Sequence, residues 1–132
     1  MGFLVTVNIG FELAALLLGF DIPEDDKVVI GHSMVAFISK KDSSYEVFLP
    51  AAVWHDAATT KGASIQETWP WWKVTDEFHK KMMDLARQEV ENRTGLSNTE
   101  RISLFYELRM KAFYLAMLAE KYGAPLYEGR LL

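Results

Sequence analysis

The apolar positions of this chain change their spacing near Pro50. Before it the pattern is short and alternating. Phe3 to Ile9 is a weakly alternating run containing Val and Ile, which predicts a strand. Phe11 to Leu18 is rich in Ala and Leu with Gly19 behind it, which predicts a short helix and its stop. Pro23-Glu24-Asp25-Asp26 reads as a solvated turn. Lys27 to Ile30 and Ser33 to Ser39 are β-branched or alternating runs. Lys40-Lys41-Asp42-Ser43-Ser44 reads as a hairpin turn and Tyr45 to Leu49 as the returning strand. Val35, Phe37 and Ile38 set against Tyr45, Val47 and Leu49 give this meander an apolar face.

After Pro50 the spacing becomes helical. Proline suits a first helical turn, so Ala51 to Ala58 is expected as a short helix. Thr59 to Ser64 reads as a loop. The aromatic knot Trp69-Pro70-Trp71-Trp72 leads into a long helix to about Asn92, with Thr75 as an internal cap and Gly95 past its end. Val74, Phe78, Met82 and Leu85 form its apolar stripe, and Lys80, Lys81, Arg87, Glu89 and Glu91 its wet side. Ser97-Asn98-Thr99-Glu100 is a capping box for a last helix ending near Tyr122, with Gly123 and Pro125 as stop signals. The apolar arc of that helix is wide. It takes in Ile102, Phe105, Leu108, Phe113, Leu115 and Leu118, so it needs cover on more than one side, from the N-terminal half or from another chain.

These elements predict an α+β fold: a small antiparallel sheet from the N-terminal half packed against two long C-terminal helices. The chain, 1–132, reads as a single domain. Residues 1–49 are mainly strands with one short helix, 50–124 are helical and 125–132 form a tail.

Composition narrows the function classes. Half of the residues are hydrophobic and 13% aromatic, enough for a real core. The formal charge of −4 predicts no nucleic-acid partner, which would need a basic face. With no cysteine there is neither a disulfide framework nor a thiolate metal site. The apolar stretch Met1 to Phe20 has no Lys or Arg before Lys27 and is interrupted by Asn8 and Glu12. It is therefore expected as buried structure rather than a signal or a membrane span, and no membrane partner is expected.

Chemistry-bearing residues gather in one stretch, Pro50-Ala51-Ala52-Val53-Trp54-His55-Asp56. The other histidines are His32 and His79. Asp76 and His79 are three apart and share a helix face. If the short helix crosses the start of the long one, His55, Asp56, Asp76 and His79 converge. That set suits a divalent metal, or a general base with an orienting acid. The alternative is a structural clip, a buried imidazole satisfied by the neighbouring carboxylate, and the balance of the sequence favours the clip. The order His32, His55-Asp56, Asp76 also mimics the H…HD…D pattern of HD-domain phosphohydrolases. Those ligands lie on helices, whereas His32 follows Gly31 in a segment read as strand or turn. No serine elbow, phosphate loop or H-E-x-x-H is present. Trp69, Trp71 and Trp72 read as core or interface.

The run Phe48-Leu49-Pro50-Ala51-Ala52-Val53-Trp54-His55-Asp56 resembles the AA-x-x-HD core of a small phage and prophage domain family of unknown function, often encoded in tail gene modules. Asp76-Glu77-Phe78 with Met82 and Met83 resembles the family's next helix, and Met110 to Ala116 a further one, so the resemblance spans about residues 27–122. The family's A-S-I-P segment precedes its HD. Here Gly62-Ala63-Ser64-Ile65 follows it, with Gln66 in the proline's place. The resemblance implies a phage-encoded protein in the virion or the host cytoplasm. The expected function is that of a virion, tail or assembly protein acting through contacts with other subunits, as a homo-oligomer or with virion components. Ile102, Phe105, Leu108, Phe113, Leu115 and Leu118 are its candidate interface. No cofactor is expected in that role, and the sequence favours a non-enzymatic one. Two alternatives stand beside it: a small metal-assisted or acid–base hydrolase using His55, Asp56, Asp76 and His79, and an inhibitor binding a host factor.

Overall fold

The computed structural model describes residues 33–127, with the side chains of residues 33–120. The expectations for the strands Phe3–Ile9 and Lys27–Ile30, the helix Phe11–Leu18, the turn at Pro23 and the position of His32 lie outside the described residues. Within them every element is helical, so the α+β expectation is wrong. In chain order these are α1 (Met34–Ser39), a 3₁₀ helix (Ser43–Phe48), α2 (Leu49–Ala58), α3 (Ser64–Thr68), α4 (Trp71–Asn92) and α5 (Asn98–Tyr127). No strand occurs among the described residues.

The two expected strands fail for an identifiable reason. Met34, Phe37 and Ile38 are buried, a spacing of three and four that belongs to a helix, while Ala36 and Ser39 point outward. Ser33 caps that helix, its Oγ accepting from the Ala36 N–H at 3.0 Å. The expected hairpin turn is instead the start of the 3₁₀ helix. Asp42 accepts from the N–H of Ser44 at 2.9 Å and from its hydroxyl. Three residues per turn then bring Tyr45 and Phe48 to the same side, and both join the core.

The 3₁₀ helix runs straight into α2, with Pro50 in the first turn as expected. Ala51 and Ala52 are buried, and side chains this small let α2 lie close to its neighbours. α3 begins at Ser64, the last residue of the expected loop, and covers Ile65 to Thr68, for which no element was expected. It is reached through Gly62, whose φ of +87° only glycine adopts cheaply.

α4 and α5 are the longest elements and pack along one another. The turn between them uses Gly95 at φ +79°. The expected capping box is present: Glu100 N–H donates to Ser97 Oγ at 3.1 Å, and Ser97 N–H to Glu100 Oε1 at 3.1 Å. α5 continues past the expected stop near Tyr122, through Gly123 and Pro125, to Tyr127. Glycine costs a helix about 1 kcal/mol and proline about 3, which weakens the ladder without ending it. Phe37, Phe48, Phe78, Met82, Leu115 and Leu118 form the centre of the core. From Tyr114 to Glu120 every residue of α5 is buried. No helix among the described residues is long and apolar enough to cross a membrane.

Candidate functional site

α2 places His55 and Asp56 next to each other, His55 facing α4 and Asp56 facing α1. Asp56 spends its carboxylate on the start of α1. Its Oδ1 accepts from the Met34 N–H at 2.8 Å, and its Oδ2 from the Val35 N–H at 3.0 Å and the Ser33 hydroxyl at 2.7 Å. These are two of the backbone donors that a helix N-terminus leaves without intrahelical partners. A negative charge there is also favoured by the helix dipole. Asp56 is thus an N-terminal anchor supplied by another helix, working together with the local cap Ser33.

Burial raises the Asp56 carboxyl. The nearby His55 imidazole outweighs that, together with the donors of Val35, Ser33 and Met34, and the carboxyl is held below its ordinary value. The imidazole acts across 3.8 Å, from Nδ1 to Oδ1, which is too long for a hydrogen bond. His55 is buried, and its Nδ1 has no hydrogen-bond partner. Its ring instead packs on Phe78 of α4, with centroids 4.6 Å apart. The expected clip, an imidazole satisfied by Asp56, is therefore not the one present. Asp56 is the clip, and its partner is α1.

Ser33, His55 and Asp56 are the residue types of a hydrolytic triad, but their order is wrong for one. The Ser33 hydroxyl donates to Asp56 rather than to the His55 imidazole, so among the described residues no imidazole is placed to take its proton.

The other two candidate residues lie on a different face of α4. Phe78, which His55 touches, is two residues from Asp76, about 200° around the helix. Asp76 is buried and pairs with Lys80 at 3.2 Å. His79 is half-buried. Burial holds its imidazole below the ordinary value, Asp76 opposes this, and Arg109 of α5 adds to it. Among the described residues, no group of three or more His, Cys, Asp or Glu side chains is arranged to hold a metal ion. The resemblance to the HD-domain order fares no better there. A helix starts at Met34, but Asp56 has given its oxygens to it, and His32 lies outside the described residues.

The six candidate interface residues divide. Leu108, Leu115 and Leu118 are buried in the chain's own core. Phe105 and Phe113 are half-buried against it. Ile102 is 71% exposed, and so, at 62%, is Tyr106 one turn further on. Both lie two residues from core positions Leu104 or Leu108, about 200° away from the seam that faces α4. With Val53 they are the exposed large apolar side chains among the described residues.

Sequence reasoning missed two anchors, one polar and one charged. Ser33 carried a readable sign, a serine directly before an apolar run. Arg101 carried none. It sits in the first turn of α5 and donates to the carbonyls of Val90 at 2.5 Å and Arg93 at 2.8 Å, where α4 ends.

Comparison with protein-family models, with curated proteins and with solved structures finds no match for this chain.

Proposed function

We propose that the protein works by protein–protein contact, as a self-associating subunit of a larger assembly of the phage virion or tail kind. The observation that carries this reading is the outward face of α5, where Ile102 and Tyr106 are exposed one turn apart. Each apolar side chain of this size gains roughly 1.5–3 kcal/mol on full burial, and the first turns of α5 give it no cover of its own. The half-buried Phe105, Met110 and Phe113 extend the same helix surface. The hydrolase reading draws less support, because the Asp56 carboxylate is engaged by three donors and His55 faces Phe78.

Sedimentation tests the proposal. At micromolar concentration the wild-type chain is expected to run heavier than a monomer. Ile102→Glu combined with Tyr106→Glu should return it to monomer, with stability changed by no more than about 0.5 kcal/mol, as for other surface substitutions. A monomeric wild type, or a double variant that still assembles, overturns the proposal.

A further inference from the structure

We draw no further inference here: the strongest candidate, the half-buried tryptophan cluster at the junction of α2, α3 and α4, has the rings of Trp54 and Trp69 already met by the chain's own Lys81 and Lys73, and nothing in the structure shows what would cover the rest.

Discussion

Asp56 accepts three hydrogen bonds from the start of a helix, while His55 beside it leaves Nδ1 without one. The two substitutions should therefore separate. Asp56→Asn keeps an acceptor but loses the charge and points an amide at backbone N–H groups, so it should cost about 1–3 kcal/mol. In a domain of this size that lowers the melting point by several degrees. His55→Phe keeps the ring contact with Phe78 and removes the orphaned nitrogen, so it should cost less, under about 1.5 kcal/mol. Thermal melts of both variants decide this. Equal losses would return the energy of the pair to the imidazole–carboxylate contact. Acid adds a second test. His79 is held below its ordinary value, so the unfolded chain takes its proton first. Its contribution is complete above pH 6.5 and falls as the pH drops below that. Asp56 is also lowered, so its contribution is present above 3.8 and is lost as pH falls through the lower folded value. Stability measured against pH should show both steps. His79→Gln should erase the upper one alone, and a profile unchanged in that variant would exclude His79 as its source. The sequence did single out His55 and Asp56. What it could not show is which neighbour each one meets, because Ser33 and Met34 are more than twenty positions away.

Two helix ends in this protein are held by side chains from another helix. Asp56 of α2 holds the start of α1, and Arg101 of α5 holds the end of α4. Positive charge at a helix C-terminus is favoured by the dipole, and the guanidinium fork reaches two carbonyls at once. Arg101→Met should cost about 1–3 kcal/mol. It should also speed hydrogen exchange at the last amides of α4, such as Arg93, which donates to the Glu89 carbonyl. Arg101→Lys should restore only part of this, since one ammonium does not copy the fork. Unchanged exchange at those amides in Arg101→Met would show that the end of α4 holds without the bridge. The long elements were legible in the sequence. Asn92 as the end of α4, Gly95 beyond it and the Ser97–Glu100 box all rest on local signals, and all are found. α1 was not legible, because six residues fit two periods. Val35 and Phe37 alternate, while Met34, Phe37 and Ile38 repeat at helical spacing; the Ser33 cap is the local sign for the helix, and the non-local Asp56 adds bonds to its start.

At the scale of the molecule, this short segment decided the fold class, for the sheet was inferred from the pieces that became α1 and the 3₁₀ helix. The pairing of two long helices survives, and the structure divides α5 into a covered half and one that carries the exposed Ile102 and Tyr106. The covered half explains the wide apolar arc from within the chain, and the exposed half is where the proposed assembly contact must form. The anchoring of α1 has one more consequence, in the order of events. A six-residue helix is far below the length of about 12–15 residues at which isolated helices become even marginal. α1 must wait until α2 has brought Asp56 into place, 21 to 23 positions along the chain. The expected order puts the docking of α1 after the folding barrier. Asp56→Asn should leave the refolding rate nearly unchanged and put its whole cost into faster unfolding. Stopped-flow refolding and unfolding of that variant would read this directly, and a matching slowdown in refolding would place α1 in the nucleus. The same ordering makes α1 the first of the described elements to let go, before α4 and α5 separate.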